Sequence, residues 1–529
     1  MAQSRGTVVM RIGIDVGGTH TDAVILDGDN VIAATKALTS ADVVSGITEA
    51  LDTLLCDGAV SQDTIETVMI GTTQFTNAIV ERRELSPVAV VRICLPSGQG
   101  MPPMIDWPED ISSALGGHIY MLHGGYLYDG FPVAEIRDDE VNALVEDLVN
   151  KGIKNIAIAS AFSPMNAQPE KIVAARILAA VPDARITLSH NFGRLGLMER
   201  ENAAILNTTL LPFADKVIGS FLDALRNREL HCPAYISQND GTLMSSDFVR
   251  AYPALTFASG PTNSLRGAYK LTGLQDAIVV DIGGTTSDIG VLQGGFPRES
   301  NVIIEIGGVR TNFRMPDILA IGLGGGSLVL DEGRTIGPRS VGHNLVTEGL
   351  VFGGDILTTT DILVASGKAE IGDPSKSRDI SKTTVKQAMT TMHEMLDQSI
   401  EMMKPGGREM PVILVGGGAI LVTGALKAAS QLHRPENAGV ANAIGAAIAQ
   451  IGGEAERMMS YRQTPRDEAI KKVTAEATER AINAGAEISS IKAVDIEETS
   501  VPYMDEGATR VRVKVIGDLA QIPSKRVQS

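Results

Sequence analysis

Two stretches of the chain share one pattern of apolar and polar positions. Residues 11–26 read RIGIDVGGTHTDAVIL and residues 277–292 read AIVVDIGGTTSDIGVL. Each has an apolar, β-branched run, a Gly-Gly-Thr turn and a second apolar run. That pattern predicts a hairpin closed by a glycine loop. Asp15 aligns with Asp281, Gly17-Gly18-Thr19 with Gly283-Gly284-Thr285, and Asp22 with Asp288, all at an offset of 281 − 15 = 266 residues. The rest of the chain alternates the two regular periods. Apolar runs at 31–38, 67–72, 86–93, 154–162, 185–193, 234–241 and 412–421 predict strands. Helical spacing covers 41–56, 73–83, 138–152, a long stretch 199–225 with a break expected at Pro212, and 467–485. Runs at 489–503 and 508–519 again read as strands. Strands alternating with helices predict an α/β fold. We divide the chain at 1–198, 199–460 and 461–529, the last a small appended α/β unit.

Composition narrows the class. At 529 residues the chain exceeds one ordinary domain, and 44% hydrophobic residues allow a large core. A net charge of −17 disfavours nucleic acid and anionic membrane surfaces as partners. It does not exclude a nucleotide, because backbone amides can hold phosphate inside an acidic protein. No run of 18 apolar residues occurs, and the N-terminal residues lack the apolar core of a signal peptide. Cys56, Cys94 and Cys232 are far apart and form no C-x-x-C pair, which fits a reducing cytoplasm.

The repeated hairpin carries the candidate chemistry. Its glycines let a phosphate approach the backbone, and successive amides form an anion nest. Gly17, Gly18, Thr19, His20 and Thr21 form the first loop; Gly283, Gly284, Thr285, Thr286 and Ser287 form the second. Asp15 and Asp281, at the strand ends, are the expected catalytic carboxylates and Mg²⁺ positioners. Asp22 and Asp288 either assist or fix the turns through their own backbone. A third element, Gly416-Gly417-Gly418 at the end of an apolar strand, would let adenosine lie flat, or is a glycine-rich turn. Gly324, Gly325 and Gly326 form a further glycine stretch. Of His20, His118, His123 and His190, none pair at i, i+4, and only His20 sits in a phosphate loop. Met392, Met395, Met402 and Met403 share one helix and read as core filling.

Two phosphate loops followed by an adenosine loop resemble the superfamily of actin, the Hsp70 chaperones and sugar kinases. At closer range the chain resembles the hydantoinase A and 5-oxoprolinase family. The residues that carry this are IGIDVGGTHTDAVI, IGTTQFTNAIVER, LSHNFG with MERENAAILNTTL, SQNDGTLMS, FASGPTNSLRGA, VVDIGGTTSDIGVL, and GLGGGS with GPRS, in the family's order. His20 stands where longer members usually have Phe. The resemblance implies two actin-like (RNase H-like) ATPase lobes around a nucleotide cleft, with ATP and Mg²⁺ bound. It implies an ATP-dependent subunit that phosphorylates the carbonyl of a cyclic amide (hydantoin, 5-oxoproline or lactam) for ring opening. The alternatives are a carboxylase subunit, a small-molecule kinase and a non-enzymatic actin-like ATPase. Expected partners are a small-molecule substrate and a second, hydantoinase B-type or unrelated, subunit, and the chain is expected to be an oligomer. At family positions Thr72, Thr73, Asn77, Glu201, Asn202, Gln238, Asn239 and Asp240 are the substrate candidates.

Overall fold

A computed structural model describes residues 10–17, 20–38, 43–58, 60–127, 130–192, 196–300, 303–501 and 508–520. Gly18 and Thr19 of the first loop lie outside the described residues. The fold repeats one four-stranded unit. In the first lobe β1 (Met10–Val16), β2 (His20–Asp27), β3 (Asn30–Leu38) and β4 (Ile65–Thr72) are ordered β4-β1-β2-β3. In the second lobe β5 (Ala277–Ile282), β6 (Ser287–Gln293), β7 (Ile318–Ile321) and β8 (Val412–Val415) are ordered β8-β5-β6-β7. In both, the first two strands form an antiparallel hairpin, the third adds antiparallel and the fourth adds parallel to the first.

The apolar runs follow from what covers them. Ile12, Ile14, Ala23 and Ile25 pack under Ile47, Leu51 and Leu54 of the helix Val43–Gly58. On the opposite face Val24 and Leu26 meet Ala443, Ile444 and Ala447 of a small helix, Ala441–Ala447. A sheet covered on both faces reads as near-continuous hydrophobicity. Val279, Ile413 and Val415 of the second lobe pack on Leu265 and Ala268 of the helix Ser259–Thr272. That helix crosses the small helix between the two sheets. A Cβ on Gly267 would lie 1.8 Å from the Ala441 carbonyl oxygen, so the crossing demands glycine there.

Among the described residues the first-lobe sheet grows to nine strands. Beyond β4 it continues through 234–237, 242–245, 450–460, 508–517 and 492–500. The C-terminal α/β unit, with its helix Arg466–Asn483, is therefore joined edge-on to the first lobe. A separate four-stranded parallel sheet spans residues 89–188. The expected break at Pro212 is absent. The helix Leu197–Arg226 runs unbroken through it, held by buried Ala203–Leu211 on one side and Ala214, Ile218 and Phe221 on the other. Met392 and Met403 are core residues as expected, but Met402 turns outward and is 68% exposed. No described helix is long and apolar enough to cross a membrane.

Candidate functional site

The paired strands of the two hairpins match in register. Asp15 lies opposite Asp22 and Asp281 opposite Asp288. The Gly17 amide donates to the His20 carbonyl at 3.0 Å, and the Gly283 amide donates to the Thr286 carbonyl at 2.9 Å. Each leading carboxylate stands at the carboxyl end of its strand, the place where ligands settle in open α/β sheets.

One helix joins the two carboxylates. On Ser259–Thr272, Asn263 Nδ2 donates to Asp15 Oδ1 at 3.2 Å, and Ser264 Oγ donates to Asp281 Oδ2 at 2.5 Å. Asn442 Nδ2, on the small helix, donates to Asp15 Oδ2 at 3.0 Å. Consecutive residues of one turn thus reach both lobes, which ties the two repeated hairpins to one helix. Asp15 is buried, and Asp281 is half-buried. Burial, offset in part by Asn263 and reinforced by Asp22 and Asp281, pushes the Asp15 carboxyl up to about 6. Burial also raises Asp281, with Ser264 opposing. Asp288 rises to about 7 through burial and the charge of Asp281. Two converging carboxylates whose ionised forms are disfavoured can accept a cation. Among the described residues no group of three or more His, Cys, Asp or Glu side chains is arranged to hold a metal ion.

The glycine loops divide by role. Gly416 has φ +83°, and a Cβ on it would lie 2.2 Å from Asp281 Oδ1, so it lets the strand end pass the carboxylate. A Cβ on Gly417 would meet nothing within 4 Å, which leaves open space above it, whereas one on Gly418 would lie 2.9 Å from the Ile282 and Gly283 carbonyl oxygens. The 322–327 stretch braces the second turn from behind: the Gly325 amide donates to Gly283 O at 3.0 Å and Gly326 to Gly284 O at 2.7 Å. A Cβ on Gly324 would lie 2.6 Å from the Thr285 backbone. Ser287 is buried and donates to Leu323 O at 2.5 Å; Thr286 is exposed and Thr285 half-buried. In the first loop Thr21 is buried and His20 half-buried. Burial first, then Lys36, lowers the His20 pKa, against Asp22.

The substrate candidates fall into three places. Thr72 and Thr73 end β4 beside β1; Thr73 Oγ1 donates to Val16 O at 3.3 Å, and the Thr72 carbonyl accepts from Ser259 Oγ at 3.0 Å. Asn77 follows on the next turn, its amide donating to Thr73 O at 2.9 Å. Gln238, Asn239 and Asp240 form a turn against the bridging helix, where Thr262 Oγ1 donates to Asn239 O at 2.9 Å. The Asp240 carboxylate is paired with Lys514 at 2.9 Å. Glu201 and Asn202 are engaged elsewhere. Arg92 grips the Glu201 carboxylate at 2.7 and 2.5 Å, and Trp107 Nε1 donates to Asn202 Oδ1 at 2.9 Å. Sequence reasoning missed Asn263, Ser264, Asn442 and Lys36. Their one local signal is polarity at otherwise buried positions, such as the single lysine in VIAATKAL.

Comparison with known proteins agrees with this architecture. Residues 11–181 match the hydantoinase/oxoprolinase N-terminal region, and residues 200–373 match hydantoinase/oxoprolinase. The caprolactamase subunit alpha of Pseudomonas jessenii is 24% identical over 68% of this chain and 54% of its own length. The acetophenone carboxylase gamma subunit of Aromatoleum aromaticum is 28% identical over 45% of this chain and 34% of its own. The chain thus spans about half, or less, of these relatives. Among solved structures, the ATP-dependent caprolactamase of Pseudomonas jessenii superposes with a TM-score of 0.77 at 19% identity, covering 97% of this chain and 88% of that one. Nucleotide-free acetone carboxylase superposes with a TM-score of 0.68 at 16% identity, again over 97% and 88%. These likenesses share the fold. On its matched regions, the chain belongs to the hydantoinase/oxoprolinase family.

Proposed function

We propose that the chain is the ATP-using subunit of a cyclic amide hydrolase of the hydantoin, 5-oxoproline or lactam class. The observation that carries this reading is the pair of matching Asp-x-Gly-Gly-Thr hairpins whose leading carboxylates are held by consecutive residues of one helix. Family membership and the caprolactamase relatives support it. The residues fit a magnesium nucleotide: among the described residues Asp15 and Asp281 form no ion pair, and Gly417 leaves room for a flat group. Magnesium, when bound, supplies charge neutralisation of the phosphates.

In this reading the turn amides hold the phosphates, and Asn263, Asn442 and Ser264 orient the two carboxylates. Thr72, Thr73 and Asn77 face the acceptor. The amide carbonyl oxygen attacks the γ-phosphorus, and the bond to ADP breaks. Water adds to the activated carbon, the ring C–N bond breaks with protonation of nitrogen, and hydrolysis of the acyl phosphate releases carboxylate and phosphate. Resonance makes the unactivated carbonyl a poor electrophile, which is why ATP is needed. The relatives are named as subunits, so we propose a second, hydantoinase B-type partner.

A second reading, an ATP-dependent carboxylase subunit, is favoured by the acetophenone and acetone carboxylase likenesses. The test is ATP consumption across a panel of hydantoins, lactams and ketones with bicarbonate, with and without a co-expressed partner. Ring-opened amino acid with free phosphate is expected. A carboxylated ketone would replace the first reading with the second, and a stable phosphate ester would replace both with a kinase.

A further inference from the structure

The repeated four-stranded units of the two lobes differ in one matching row of side chains. In the first lobe Asp15, Asp22 and Lys36 are direct cross-strand neighbours on β1, β2 and β3. In the second lobe the matching row on β5, β6 and β7 is Asp281, Asp288 and Ala320. Direct neighbours in a sheet share a face. Each row therefore carries two carboxylates toward the cleft, but only the first ends in a cation. Lys36 Nζ lies 2.5 Å from Asp22 Oδ1, and its side chain keeps 36% of its surface exposed while that of Asp22 keeps 5%. Its charge reaches His20 at the first turn, adding to burial in lowering that pKa, and reaches Asp281, where it opposes the rise that burial causes.

The strand ends repeat the asymmetry. β4 closes the first lobe with Thr72 and Thr73, hydroxyl-bearing residues. β8 closes the second with Gly416 and Gly417, and Gly417 has open space above it.

The geometry points to Lys36 as the catalytic cation that contacts the terminal phosphoryl group. This inference rests on the nucleotide reading above and adds to it a residue. A triphosphate approaching Asp15, Asp22, Asp281 and Asp288 meets a carboxyl group on every strand of the two hairpins. A lysine ammonium is a mobile point charge on a flexible stem. It can turn from Asp22 to a phosphate oxygen without moving the backbone, and Asp22 keeps it aimed while the cleft is empty. In phosphoryl transfer, a cation on the transferring group stabilises charge that shifts in the transition state.

The test uses the full chain with Mg²⁺ and reads the affinity for AMPPNP and for ADP by calorimetry in wild type, Lys36→Met and Lys36→Arg. Lys36→Met is expected to lose about tenfold or more in AMPPNP affinity while ADP stays within about twofold, a differential of roughly 1.4 kcal/mol. Lys36→Arg is expected to recover most of the discrimination. The AMPPNP-to-ADP ratio is read within each variant, so partial misfolding lowers both affinities and leaves the ratio intact. A ratio unchanged in Lys36→Met, with wild type binding both ligands, overturns the role of Lys36 and leaves the nucleotide reading standing. Wild type that binds neither ligand overturns the nucleotide reading itself, and the inference with it.

Discussion

Asp288 stands opposite Asp281 with no cation at the end of its row, and burial and its neighbour push its carboxyl up to about 7. The ordinary value is 3.8, so the fold favours the protonated form. The stability this group contributes is complete below about pH 4 and is lost as pH rises through about 7. In magnesium-free buffer Asp288→Asn should therefore melt with wild type at pH 4 and above it at pH 8. Melting curves across that range check this. A difference that does not change with pH would mean Asp288 ionises freely in the folded chain. The repeated carboxylates were legible in the sequence because their spacing recurs locally. Asn263 and Asn442 were not, since they reach Asp15 across separations of 248 and 427 residues that no periodicity encodes. Glu201 and Asn202 show the converse: polar residues in a recurring motif, occupied in the fold by Arg92 and Trp107.

At the scale of elements, both hairpins, the strands around them and most helices followed from period and turn chemistry. What the pattern could not supply was sheet membership. The strand at 234–237 is expected, those at 242–245 and 450–460 are not, and only pairing places all three in the first-lobe sheet. Pro212 misled because a missing amide is a local cost, while the buried residues flanking it along one 30-residue helix are a larger, non-local gain. The glycine run 416–418 is one motif in sequence and three roles in structure. Gly416 and Gly418 are closed in by Asp281 and Ile282, and Gly417 is open. Gly417→Val should thus fold as wild type and lose about tenfold or more in ATP affinity, roughly 1.4 kcal/mol, because its methyl groups fill the space assigned to the base. Calorimetry on a variant with an unchanged melt is the check; undiminished affinity would send the base elsewhere.

At the scale of the molecule, the C-terminal unit is locked to the first lobe by charge as well as by sheet. Lys514 is nearly buried, 2.9 Å from Asp240 and 3.8 Å from Glu299, and beside it Arg512 bridges Glu299, Glu454 and Asp495. Glu299 belongs to the segment that follows β6, so this cluster ties three parts of the chain together. Lys514→Met leaves the half-buried Asp240 beside other carboxylates without its partner. A loss of about 3–5 kcal/mol in unfolding free energy is expected. Urea unfolding measures it, and Lys514→Met with Asp240→Asn should recover part of the loss. A change under about 1 kcal/mol in the single variant would mean that water or a shifted side chain replaces the pair.

The account turns on the two hairpins gripping one nucleotide. The direct measurement is an experimental structure of the full chain with Mg²⁺ and AMPPNP. It should show the triphosphate between the Gly17–His20 and Gly283–Thr286 turns, with the base against Gly417. A nucleotide bound outside the cleft, or held by one turn alone, would contradict it.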